Sequence, residues 1–390
     1  MYLVDKIMEL WAWGANNYGQ LGVSAKCEQI DRPVKIQLPL SCNIDNNTFQ
    51  IAGGGGHTLL TDSDNEKLYS VGWNNKGQLG LENDFKDVET FKEVRITHIV
   101  KDNSTKIIKK IACGWDFSLV LFSNGAIFGC GSNAFGQLGL SEEIKNSSKL
   151  HQIPLPPEVE IVDMSCGMRH SLFLDGKGNV YSTGCGKKGQ LGLGESIKRV
   201  FTPTKIHGIS SALSVHCGQH FSVLLTTSQT GRDMYTFGDN KYKQVSNSIT
   251  NTIFTPELKY TSCSKIDEKF IGATCGWTHT VILDQSKGKT RLITWGRNTY
   301  GQLGSQAATN DEGHAFVNIE DEPTKIASGY EHNLVVTKSG NLYAWGWNEH
   351  SNCGIGSPKD NILIPHIVPM GDKAVLNCYV GSAHSFALLK

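Results

Sequence analysis

Four sets of residues in this 390-residue chain have types and spacings that could do chemistry. Gly184-Cys-Gly186-Lys-Lys-Gly189 spells Gly-x-Gly-x-x-Gly, the turn that seats a dinucleotide pyrophosphate at the start of a helix. Gly131 to Gly136 approaches the spacing of a phosphate-binding loop, but Gln137 stands where the loop's lysine is required. His57, His170, His279, His332 and His384 each end a Gly-x-x-His element. Cys113, Cys166, Cys217 and Cys275 each directly precede the glycine of a Gly-x-x-His or Gly-x-x-Phe element. Histidines and thiols can ligate a metal or act in acid–base and nucleophilic catalysis, provided that the fold clusters them.

The elements that carry these residues argue against clustering. Gly14, Gly72, Gly131, Gly184, Gly238, Gly296 and Gly346 each stand six residues before Gln, or before Asn in the last copy. The clearest copies read Trp-Gly-x-Asn-x-x-Gly-Gln-Leu-Gly, and the period is about 55 residues, in the range of propeller repeats. Gly54, Gly114, Gly167, Gly218, Gly276, Gly329 and Gly381 open a second signature interleaved with the first, in which Phe117 and Phe221 replace His. Between the signatures lie short apolar runs separated by hairpin-type turns such as Ser123-Asn124-Gly125 and Ser339-Gly340-Asn341. No sustained helical periodicity appears. The reading is therefore all-β: a seven-bladed β-propeller of four-stranded blades, one domain over residues 1–390. The segment Leu10 to Gly14 and the tail Gly381 to Leu389 together make one ordinary unit. Hence the N- and C-terminal strands should share a blade and close the ring.

Within such a ring most of the chemical candidates become structural. The Gly-x-Gly-x-x-Gly of residues 184–189 occupies the same register as Gly72 to Gly77, and no helical pattern follows it, so no nucleotide site is expected. One His or Cys per blade is spread around a circle, which predicts hydrogen-bonded core histidines and packed thiols rather than a metal site. Leu21, Leu79, Leu138, Leu191 and Leu303 read as plugs between blades, and Trp13, Trp73, Trp295, Trp345 and Trp347 as strand-end packing. The fifth repeat departs from Gln-Leu-Gly at Lys243, Val245 and Ser246. Ser305 to Glu322 lacks strand patterning and reads as a mobile acidic surface insertion.

Composition narrows the partners. Lys plus Arg and Asp plus Glu number 37 each, leaving no net basic field to attract DNA. No apolar run reaches membrane-spanning length, and Asp5, Lys6 and Glu9 interrupt a signal-peptide core, so the expectation is a cytoplasmic and nuclear protein without membrane association. Eleven cysteines without a Cys-x-x-Cys pair suggest neither a cofactor nor a disulfide framework.

What the repeat leaves free is a pair of positions after each second-signature glycine. These are Gly55-Gly56, Trp115-Asp116, Met168-Arg169, Gln219-His220, Trp277-Thr278, Tyr330-Glu331 and Ser382-Ala383. Equivalent positions of a ring face the same way, so Trp115, Asp116, Arg169, His220, Trp277, Tyr330 and Glu331 should share one end of the central channel. Aromatics beside a few charges are the composition of a protein-binding hot spot. The irregular loop Trp347, Glu349 and His350 is a second candidate patch.

Gly-x-Asn-x-x-Gly-Gln-Leu-Gly alternating with Cys-Gly-x-x-His-Ser over Leu10 to Lys390 resembles the regulator-of-chromosome-condensation repeat family. The resemblance implies a propeller that acts on a small GTPase as a guanine nucleotide exchange factor, with an exocyst subunit as a partner and secretion as the setting. It places Asp116 in the type of loop position where the family's exchangers carry an acid. A related propeller implies a different class, a scaffold for a small zinc or iron electron-carrier protein in diphthamide synthesis and transfer RNA wobble-uridine modification. Neither function needs covalent catalysis, and either suits a monomer or heterodimer.

Overall fold

The computed structural model describes residues 8–390 apart from 25–26, 45–47, 83–84, 97–106, 229–230, 262–268, 287, 307–312 and 357–359. Seven antiparallel four-stranded sheets make up the ring, and among the described residues there is no helix. Blade four shows the plan: Ile161–Cys166 lies innermost, followed outward by His170–Asp175, Val180–Cys185 and Arg199–Lys205. Second strands such as Phe117–Phe122 and His332–Thr337 are buried along their whole length, because blades pack on them from either side. The outer strands are mostly exposed or half-buried, as at the solvated rim of a sheet.

Blade one is built from both ends of the chain. Glu9–Ala15 pairs with His384–Leu389, from Glu9 against Leu389 to Gly14 against His384, and Gln29–Lys35 and Val375–Val380 flank them. Closure thus buries two strand edges that an open array would leave to template association.

The repeated residues turn out to latch each blade to the next. His57 Nε2 lies 2.9 Å from Ser118 Oγ, and Ser118 Oγ donates to the carbonyl of Gln78 at 2.7 Å. His170 with Ser222 and the Gln190 carbonyl repeats this, and so does His332 with Ser385 and the Asn352 carbonyl across the closing interface. His384 uses Thr58 and the carbonyl of Gln20, while His279 uses Asn333 and the carbonyl of Gln302. All five rings are fully buried, and burial lowers the pKa of His57, His170, His332 and His384 to about 3, so they are neutral. The leucine plugs are equally buried, and Val245 fills that slot in the irregular fifth blade.

Ser305 to Glu322 requires a correction. Ala315–Val317 pairs with Leu292 to Thr294 as the fourth strand of blade six, so this part of the segment belongs to a blade and is not a surface insertion. Three residues are too few for an alternating pattern to register in the sequence. Asp311 and Glu312 lie outside the described residues. Two of the tryptophans also depart from expectation: Trp13, Trp295 and Trp345 are core, but Trp73 and Trp347 are only partly buried.

Candidate functional site at the channel mouth

The two signatures are stapled together on one face of the ring. In every blade the residue after the leading glycine donates its backbone N–H to the carbonyl of the second free position, from Trp73 to Gly56 and from Ser132 to Asp116 round to Trp347 to Glu331, at 2.8–3.0 Å. A Cβ on Gly184 would sit 2.5 Å from the Arg169 carbonyl, and φ there is +112°. That close approach, rather than phosphate binding, is why the position is glycine. The free pairs and the first-signature loops therefore share a face.

Around the mouth the free pairs hydrogen-bond through their backbones from blade to blade. Met168 donates to Gln219, Gln219 to Trp277, Trp277 to Tyr330, Tyr330 to Ser382, and Ser382 to Gly54, at 2.7–3.2 Å. The belt fixes where each side chain leaves the ring. Trp277 and Tyr330 stack with centroids 3.5 Å apart, and Trp115, from the far side of the ring, stacks on Tyr330 at 5.5 Å. Trp73 meets Trp115 edge-on at 6.3 Å, and Tyr18 stacks on Trp73 at 5.4 Å. Aromatic contact thus runs across the mouth, over a channel cavity of about 210 Å³. The thiols of Cys113, Cys166, Cys217 and Cys275 line that cavity, and burial drives each well above the usual thiol range, which makes them poor nucleophiles.

The candidate residues divide into two groups. Trp115, Trp277, Tyr330, Glu331, Trp347, Glu349 and His350 line one groove of about 420 Å³ beside the mouth. Glu331 is buried at its base: Thr278 Oγ1 donates to both carboxylate oxygens at 2.7 and 2.9 Å, Gln302 Nε2 donates at 2.6 Å, and Arg297 lies 3.9 Å away. Trp347 packs edge-on against His350 at 5.2 Å, and Glu349 is exposed. Asp116, Arg169 and His220 form the second group, on blades three to five. Burial raises the Asp116 carboxyl, against the pull of Arg169 and Lys76. Burial lowers His220, opposed by Asp239. The Arg169 guanidinium lies 4.3 Å from the Phe135 ring.

Sequence reasoning missed Tyr18, Arg297 and Tyr300, which also line the groove. They occupy the variable positions of the first-signature loops, which read as structural background, although the staple between signatures puts those loops on the same face. Among the described residues, no group of three or more His, Cys, Asp or Glu could hold a metal ion.

A closed seven-bladed propeller with an aromatic-capped channel and a charged flank has the features of a docking platform. Residues 9–387 match the RCC1-like domain family, and the chain belongs to that family. The secretion-regulating guanine nucleotide exchange factor of Mus musculus is 33% identical over 97% of this chain and 83% of its own length. The Bos taurus protein of the same name is 32% identical over 97% of this chain and 82% of its own length. The human regulator of chromosome condensation is 26% identical, covering 97% and 89%. Among solved structures, Prp20p of Saccharomyces cerevisiae, described with its binding properties to Gsp1p and histones, superposes with a TM-score of 0.82 at 22% identity, covering 100% of this chain and 93% of that one.

Proposed function

We propose that this propeller promotes guanine nucleotide exchange on a small GTPase, which docks on the channel-mouth face. One observation carries the reading: the free pairs, held by the backbone belt, gather the acid Asp116, the base Arg169 and the aromatics Trp115, Trp277 and Tyr330 on one face. The names of the 32–33% identical relatives support exchange as its use. Docking on this face needs no bond making. An exchanger binds the nucleotide-free GTPase more tightly than the loaded one, and that difference in affinity is the whole of its driving force. The aromatic column supplies large, preorganised contact area, while Asp116 and Arg169 set register and orientation. We place this activity in secretion, in the cytoplasm and nucleus, with an exocyst subunit as a further partner.

The test is release of labelled GDP from a panel of small GTPases. Acceleration at micromolar propeller, lost in Trp277→Ala, is expected. No acceleration with any GTPase, alongside a stable complex with a small metal-carrier protein, would replace exchange by the scaffold function.

A further inference from the structure

The groove beside the channel mouth combines aromatic walls with an excess of carboxylates. Trp115, Trp277 and Tyr330 form one side, Trp347 adds a further ring, and Glu331 and Glu349 stand against the single guanidinium of Arg297. Aromatic faces are electron-rich, so walls and carboxylates favour the same sign of guest. The chain already holds one of its own cations in this chemistry. The Arg297 guanidinium lies 4.8 Å from the Tyr242 ring and 4.6 Å from the Tyr300 ring, with the Glu331 carboxylate 3.9 Å away.

The hydrogen bonding narrows the kind of cation. Thr278 and Gln302 already donate to Glu331, whose carboxylate is buried, so it gives the groove charge more than open acceptor sites. Glu349 is exposed at the rim and makes no ion pair among the described residues. A primary ammonium brings three donors that rings cannot satisfy, and stripping its water is costly. A methylated ammonium brings charge with little demand for hydrogen bonds, and it suits an aromatic-walled site.

We propose that this groove receives a methylated lysine side chain presented by a partner protein, with the ammonium head against the Trp115, Trp277, Tyr330 and Trp347 rings. This rests on reading the face as a partner-docking surface, but not on exchange activity. The probe needs no GTPase, so failure here and failure of GDP release are separately visible.

The experiment titrates the full chain with capped trimethyl-lysine, capped lysine, the uncharged tert-butyl isostere and choline, reading tryptophan fluorescence and indole NMR signals. Capped trimethyl-lysine should bind about tenfold more tightly than lysine or the isostere. Glu349→Gln, an exposed change that spares the fold, should weaken it about threefold, and Trp347→Ala should abolish it. Equal binding of the isostere would make the groove merely apolar, and equal binding of lysine would reduce it to ion pairing. Tighter binding of choline would place the natural ligand outside proteins. Any of these, or indole signals that do not move, overturns the proposal.

Discussion

Replacing Trp13 by Phe and, separately, Trp345 by Phe compares the interface that closes the ring with an ordinary one. Both indoles are fully buried. Trp13 Nε1 donates to the Asn352 carbonyl and Trp345 Nε1 to the Gln302 carbonyl, each at 3.0 Å. Each carbonyl also accepts a second bond, from Ser385 Oγ at 2.8 Å and from Asn333 Nδ2 at 2.9 Å, so neither is orphaned by the change. The loss is then one net hydrogen bond, about 1 kcal/mol, plus a cavity where the indole exceeded the phenyl ring, about 1–2 kcal/mol. Each variant should lose about 2–3 kcal/mol, a large share of the roughly 5–15 kcal/mol of a typical native state. Equilibrium urea unfolding, followed by circular dichroism with the slope held common, reads both values. If the first strand is built into the ring as Glu9–Ala15 is here, the two losses agree within about 0.5 kcal/mol. A near-silent Trp13→Phe beside a costly Trp345→Phe would refute the reasoning, because the N-terminal strand would then not be carrying the closure.

Further predictions follow from the same contacts. Deleting Gly381 to Lys390 removes the strand His384–Leu389, whose side chains are all buried, and should abolish cooperative thermal unfolding; a truncated chain that melts like the intact one contradicts this. His57, His170, His332 and His384 have folded pKa values lowered to about 3. The unfolded chain therefore binds more protons between about pH 6.5 and 3, and stability present above that window falls as pH drops through it, by up to about 1.4 kcal/mol per pH unit for each ring. The melting temperature should decline steadily from pH 7 to 4, and a rise on acidification would show that these rings are not buried neutral. Gly184→Ala, with its Cβ 2.5 Å from the Arg169 carbonyl, should unfold the chain at ordinary temperature. Gly208→Ala, at φ +80° with nothing within 4 Å, should cost only about 1 kcal/mol in the same denaturation assay.

Much of the architecture is legible in the sequence because its determinants recur. The seven leading glycines mark the staple between loops, and the five histidines mark the latch between blades, so register and closure follow from spacing alone. The candidate face is legible in part: Trp115, Trp277, Tyr330 and Glu331 stand out because the repeat leaves their positions free. The use each makes of its position is not legible. Glu331 looks like a free acid in the sequence, yet Thr278 and Gln302 hold it buried, and both belong to blade six rather than to its own. Tyr18, Arg297 and Tyr300 sit inside the Gly-Gln signature that marks structure, so periodicity hides them. Ala315–Val317 escapes notice because an outer strand of three residues needs little from its own side chains.

The central claim, that the channel-mouth face is the working surface of a nucleotide exchanger, is met most directly by GDP release from a small-GTPase panel with wild type, Asp116→Ala and Trp277→Ala measured side by side. The account predicts acceleration by the wild-type propeller with at least one GTPase and its loss, by tenfold or more, in Trp277→Ala at a temperature where circular dichroism shows that variant still folded. Acceleration that both variants retain in full would contradict the assignment of the face, and no acceleration with any GTPase would contradict exchange itself.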